Sequence, residues 1–194
     1  FKYGWFFGFG YFLFSLYWVA ISLTFDQSFQ FLIPFAIILL PSCLAIFYGL
    51  MTYLFSILYS KNIISSFFIF SILFGIIEFI RGFIFTGFPW NLISFSFSDN
   101  IYFIQILSVI GTYSFNLFCI SLFTVPAVFI LRKSRKEIIV CFLFILVSVG
   151  FLVFGNIKNN NFESLKSIKN PYTIRAMSSN ISLDRFYSNQ DELK

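Results

Sequence analysis

Residues 63–85, IISSFFIFSILFGIIEFIRGFIF, contain only two ionisable side chains, Glu78 and Arg81. An α-helix needs about 20 largely apolar residues to cross a hydrocarbon core roughly 30 Å thick. This run therefore reads as a membrane-spanning helix. Glu78 and Arg81 stand three apart and share one helix face. Ionisable groups at such depth are costly unless they pair with each other or face a polar cavity. Two readings stay open: a structural ion pair that orients the helix, or a lining for a cavity that receives a polar lipid headgroup.

The same hydropathy logic, carried outward, places further spans at about 4–23, 33–58, 112–131 and 138–157. Pro34 suits a first helical turn, and Pro41 predicts a kink. Gly111 predicts a break between a short interfacial helix, Ile101 to Val109, and the span beginning at Thr112. Period-two alternation is absent, which argues against a β-barrel. The fold class expected is an all-α polytopic membrane bundle of about five spans, followed by the truncated start of an α/β domain. Residues 158–171, rich in Asn, Ser and Lys, read as a linker. Residues 172–194 follow, with strand character from Tyr172 to Ile181 and polar residues from Asp184 onward. The first residue is Phe1, and no basic, apolar and small-residue sequence of a signal peptide precedes the first span. The chain reads as an internal fragment.

Composition agrees. The chain is 59% hydrophobic and 11% charged, against about a quarter charged in soluble domains, and its mean hydropathy is +0.88. So few charges cannot cover a water-facing surface. Phe accounts for 33 of 194 residues, which reads as lipid-facing and packing surface and not as a special aromatic box. Cys43, Cys119 and Cys141 lie inside apolar runs, without metal-ligand spacing and with no His in the chain. They read as small core hydrophobes, and neither metal nor cofactor is expected.

Orientation follows from Lys and Arg in short connections. Lys2, Lys61 and the cluster Arg132, Lys133, Arg135 and Lys136 alternate with connections lacking Lys and Arg, namely Thr24 to Gln30 and Gly82 to Asn100. The basic turns are expected in the cytoplasm and everything after Ile157 outside it. The net charge of +5 needs no nucleic-acid partner, because its densest cluster is one cytoplasmic turn. In the outer loop, Gly87-Phe88-Pro89-Trp90-Asn91 reads as an interfacial turn, with Trp90 at the headgroup level. Gln105, Tyr113 and Asn116 are polar groups whose default role is hydrogen bonding between helices.

Taken together, Glu78-x-x-Arg81, Thr86-Gly87-Phe88-Pro89-Trp90-Asn91, Gln105, Gly111 and Tyr113 resemble the membrane region of the apolipoprotein N-acyltransferases. Gly8-Phe9-Gly10 to Tyr17-Trp18-Val19 resembles that family's third span. Ile174-Arg175 to Asn180-Ile181 resembles the first strand of its nitrilase-like domain. Ser182-Leu183 and Phe186-Tyr187 depart from the family's Pro, Gln and Lys-Trp at those places. The resemblance implies an acyltransferase of the bacterial inner membrane, with residues after 157 periplasmic. Its partners would be a phospholipid acyl donor, an apolipoprotein acceptor and membrane lipids. A Glu-Lys-Cys triad working through a thioester is also implied, but no residue of this chain matches it, so no catalytic residue is assigned. Glu78, Arg81, Trp90, Gln105 and Tyr113 are the substrate-cavity or structural candidates, with Glu78, Arg81 and Trp90 expected near a cavity rim. Two rival readings are a transporter or channel fragment, which would show paired broken helices, and a non-enzymatic membrane scaffold.

Overall fold

The computed structural model describes residues 1–84, 91–165 and 175. Among them are helices α1 (Lys2–Leu16), α2 (Ile33–Leu58), α3 (Ile63–Phe83), α4 (Ile101–Ile104), α5 (Leu107–Ile110), α6 (Thr112–Leu131) and α7 (Arg135–Glu163). Stretches of 3-10 helix cover Tyr17–Thr24, Gln27–Leu32 and Ile93–Phe97. No strand occurs among the described residues. Five helical segments are long and apolar enough to cross a membrane: Lys2–Thr24, Gln27–Leu58, Ile63–Phe83, Thr112–Leu131 and Arg135–Glu163.

Local chemistry explains the ends. The Asn62 side chain accepts from the Ile64 and Ser65 amides at the start of α3, satisfying donors that the first turn leaves open. Ser134 and Glu137 form a reciprocal capping box at the start of α7. Gly111 precedes α6 with φ of +76°, a conformation glycine adopts without steric cost.

α1 and α2 pack closely because α1 presents Gly4 and Gly8, both buried. A Cβ on Gly4 would run into the Tyr48 carbonyl oxygen and the Thr52 side chain, and one on Gly8 would come 3.0 Å from Tyr48 Cβ. Small residues four apart allow such approach in a bilayer, where dispersion and hydrogen bonds, not water exclusion, hold helices together. The central core joins Phe12 of α1, Tyr48 and Met51 of α2, Phe74 and Ile77 of α3, and Ile120 of α6. At one end Phe67, Val125, Val128 and Cys141 cluster, beside the turns that carry Lys61 and Arg132. At the other end Phe103, Ile106, Phe115 and Cys119 do so. The outer surface of α7 is bare: Ile139, Phe142 and Leu146 are each more than half exposed, as befits a helix wetted by lipid.

Pro34 stands in the first turn of α2 and Pro41 inside the helix. The structure departs from the sequence reading in three places. The first span is α-helical only to Leu16 and continues as 3-10 helix to Thr24. The short helix before Gly111 is two four-residue turns flanking Gln105 and Ile106. α7 continues past 157 to Glu163, because Asn159 Nδ2 donates to Glu163 Oε1 at 2.8 Å one turn later and supports the polar final turn. The remainder of the expected linker and the expected strand lie outside the described residues, apart from 164, 165 and 175.

Candidate functional site

The ionisable pair of α3 is the centre of a buried polar knot. Glu78 and Arg81 are 0% and 1% exposed. Arg81 Nη2 lies 3.3 Å from Glu78 Oε1. Tyr48 Oη of α2 donates to the same oxygen at 2.6 Å. Asn116 Nδ2 of α6 donates to Oε2 at 2.6 Å. Asn116 Oδ1 in turn accepts the Ser94 amide at 2.9 Å, which fixes the 3-10 stretch Ile93–Phe97 against α6. The Arg81 guanidinium sits over the Phe12 ring of α1, 5.3 Å from its centroid, so cation–π attraction adds a fourth helix. A carboxylate only accepts hydrogen bonds, and here both of its oxygens are served by donors from three helices.

Beside the knot lies a cavity of about 740 Å³, bordered by Tyr11, Tyr48, Phe74, Asn91, Ile120 and Phe123 among others. Tyr48 belongs to both places: its hydroxyl faces Glu78 and its ring faces the cavity. Glu78 and Arg81 lie behind it and do not border the cavity. Asn91 ties the outer loop to α1. Its carbonyl accepts from Tyr11 Oη at 2.9 Å, and its side-chain amide donates to the Ser15 carbonyl at 3.4 Å. Asn91 has φ of 57°, a left-handed conformation in which Asn is enriched.

The remaining candidates fall elsewhere. Tyr113 is half-buried and packs on Phe79 and Phe83, with ring centroids 5.0 and 6.0 Å away. Its hydroxyl occupies the space that a side chain at position 82 would need. Gln105 is half-buried at the end of α4, where its carbonyl accepts from the Ser108 hydroxyl at 2.7 Å. Neither joins the knot or borders the cavity. Trp90 lies outside the described residues. Tyr48 and Ser94 were not anticipated. A phenol inside the apolar run 33–58 was the available signal, since its hydroxyl needs a partner at membrane depth. Ser94 contributes only its backbone amide and gave none. Cys43 is exposed, and Cys119 and Cys141 sit in apolar clusters; Glu137, one turn before Cys141, spends its carboxylate on the Ser134 cap. The knot can hold and orient; it contains no nucleophile.

Five apolar spanning segments, four of them joined by a buried ionic network, define a multi-pass helical membrane protein. Residues 1–123 match the family model described as apolipoprotein N-acyltransferase N-terminal domain, and the chain belongs to that family. Among curated relatives, the apolipoprotein N-acyltransferase of Rhizobium etli (strain CIAT 652) is 37% identical over 134 residues, 69% of this chain and 25% of the relative. That of Brucella melitensis biotype 1 is 36% identical over 127 residues, 65% of this chain and 24% of the relative. That of Rhodopseudomonas palustris is 35% identical over 161 residues, 80% of this chain and 29% of the relative. The chain thus spans about a quarter of the length of the curated relatives it matches. No solved structure matches.

Proposed function

We propose that this chain is the membrane part of a phospholipid-dependent N-acyltransferase that acylates the N-terminal diacylglyceryl-cysteine of bacterial lipoproteins. The observation that carries the reading is the family match over residues 1–123. In this reading the protein sits in the bacterial inner membrane, with the basic turns cytoplasmic and residues after 157 periplasmic. There the segment from 172 begins a nitrilase-like domain. A Cys of that domain attacks the phospholipid ester, a Glu takes the thiol proton, and a Lys stabilises the tetrahedral oxyanion. The oxyanion collapses, the ester C–O bond breaks, and the lysophospholipid leaves with the proton that Glu held. The α-amine of the acceptor then attacks the thioester; an amide forms, the C–S bond breaks, and the amine proton returns to the Cys thiolate by way of Glu, so one difficult transfer becomes two easier ones. Residues 158–194 contain no Cys, so the nucleophile belongs to a segment beyond this chain.

Physics favours a membrane part for such chemistry. Both substrates carry acyl chains, and each methylene drawn from hydrocarbon into water costs about 0.8 kcal/mol. A lateral cavity lets chains stay in an apolar setting while headgroups are held at a fixed site, which also removes translational freedom before reaction. The cavity beside Tyr48 and Asn91 suits that role. Glu78 and Arg81, behind Tyr48, hold its wall in place. The test is acyl transfer by the full-length protein in phospholipid vesicles to a diacylglyceryl-cysteine peptide. A mass gain of one acyl group on the peptide amine is expected. An unmodified peptide, with correctly folded protein, refutes the assignment. Purified residues 1–194 are expected to transfer nothing.

A further inference from the structure

A second cavity, of about 310 Å³, is a groove that α2 and α6 flank and α3 floors. Its mouth is set by Tyr59, Ile63 and Leu131, where these three helices meet their turns. Its inner end is set by Phe70 and Thr124, which also border the larger cavity. The polar side chains along it, Ser66 and Thr124, are already satisfied. Thr124 Oγ1 donates to the Ile120 carbonyl at 2.8 Å, and Ser66 Oγ donates to the Ser60 carbonyl. The bore therefore presents carbon, with Phe55, Phe67 and Val128 as its walls. From Leu131 to Thr124 it is about 10 Å deep at 1.5 Å per residue. That is about two-thirds of the half-thickness of a hydrocarbon core of roughly 30 Å. The groove thus opens at the face of the basic turns and ends short of the midplane.

The mouth is positively charged. Lys61 stands two residues from both Tyr59 and Ile63, and Leu131 is followed by Arg132, Lys133, Arg135 and Lys136. Glu137 is the one carboxylate beside these cations, and it accepts from the Ser134 amide and hydroxyl. Arg132 folds back on its own helix, where Nη1 donates to the Phe129 carbonyl at 2.8 Å. The Lys61 turn is strapped down. The Ser60 amide donates to Ser66 Oγ at 3.2 Å, the Ser66 hydroxyl returns a bond to the Ser60 carbonyl, and Asn62 caps α3. Ser66 borders the groove, so the groove wall itself holds a cation-bearing turn at the mouth. Tyr59, 60% exposed, adds a phenol at the depth where amphipathic rings meet headgroups.

We propose that this groove is a resident site for one anionic phospholipid of the leaflet that the basic turns face. Its phosphate sits among Lys61 and the cations of residues 132–136, and one tail lies between α2, α3 and α6. Charge selects the occupant. A tail moving from bulk lipid into the groove gains little from the hydrophobic effect, so a neutral lipid is not retained. Each Lys or Arg near the surface attracts an anionic headgroup, and the strapped turn holds that attraction over the mouth. In the orientation proposed above, this face is cytoplasmic and lies opposite the acylation chemistry. The lipid is therefore a fixed part of the bundle and not an acyl donor.

The test uses the full-length protein in phosphatidylcholine vesicles. These carry a trace of phosphatidylglycerol with a photoactivatable diazirine halfway along one tail, or of phosphatidylcholine with the same tail. Cross-linked peptides are mapped by mass spectrometry. At low salt the phosphatidylglycerol probe is expected to label Phe70 and Thr124 at least fivefold more than the phosphatidylcholine probe. Lys61→Gln should cut that labelling about fivefold, the share of one surface charge. At 1 M salt, where the screening length is about 3 Å, the two probes should converge. Ala127 is exposed and borders the groove, so Ala127→Phe should fill it. Labelling at Phe70 should then vanish while labelling on the outer surface of α7 stays, which also shows that the bundle is intact. Equal labelling by the two probes at low salt overturns the proposal. So does phosphatidylglycerol labelling that survives both substitutions. Labelling on α7 with Phe70 and Thr124 silent overturns it too, and marks a protein segment as the occupant of the groove. No arm reads acyl transfer, so the acyltransferase reading stands or falls separately.

Discussion

α3 and α6 run side by side through two different environments. At one end they meet through Glu78, Arg81 and Asn116, joined by Tyr48 of α2 and the Ser94 amide. At the other end they meet through Phe67, Val125 and Val128, joined by Cys141 of α7. The first contact has directions and a fixed number of partners; the second has shape and one weak directional contact, the Cys141 thiol donating to the Val125 carbonyl at 3.8 Å. In water both would be stabilised by burial. In lipid the apolar end gains little from excluding solvent, while an unsatisfied polar group at the other end costs several kcal/mol. The knot therefore specifies which helices are neighbours and in what register, and the apolar end follows.

Substitutions should separate the two ends, and the largest effect belongs to the carboxylate. Glu78→Gln replaces an acceptor with an amide whose NH₂ must face a Tyr hydroxyl or an Asn amide donor, and it leaves Arg81 without its counter-charge. A loss of about 3–5 kcal/mol is expected, the range for breaking a buried pair, read as thermal unfolding in detergent. An unchanged melting profile would show that the knot does not organise the bundle. Gly4→Val should come next, at about 1–3 kcal/mol, because the added side chain collides with α2 at Tyr48 and Thr52. Cross-linking between engineered cysteines on α1 and α2 would report whether the helices separate. Tyr48→Phe removes one donor and leaves the packing. A loss of about 0.6–1.7 kcal/mol is expected, the measured span for hydrogen bonds between membrane helices. At the apolar end Cys141→Ala should change stability by roughly 0.5 kcal/mol or less, since no directional contact of weight is lost. A loss at Cys141 matching that at Glu78 would erase the distinction between the ends.

The spanning segments were legible because hydropathy is a property of the segment itself. Five apolar runs in the sequence meet five apolar helical segments in the structure. The pairing of Glu78 with Arg81 was legible for the same reason, being three residues long. The other partners of Glu78 were not. Tyr48 is 30 residues away and Asn116 is 38, and no periodicity links a phenol in one apolar run with a carboxylate in another. Asn116 was noted as a hydrogen-bonding group, yet nothing in its own span says which helix it faces. Gln105 and Tyr113 stood out by residue type and motif, and both lie away from the knot for reasons set by backbone placement. The 3-10 stretch from Tyr17 to Thr24 was hidden because hydropathy counts apolar residues and not how tightly the backbone winds.

The separation of Glu78 from its partners also sets a schedule for biogenesis. Tyr48 leaves the ribosome before Glu78, and Arg81 follows within one helical turn. Asn116 comes 38 residues later. At synthesis rates of about 5–20 residues per second, that delay is roughly two to eight seconds. During it α3 can enter the bilayer with its charges already paired and one carboxylate oxygen still open. Asn116 is then the last pin to drop, and its arrival in α6 converts a loosely inserted hairpin of early helices into a committed assembly.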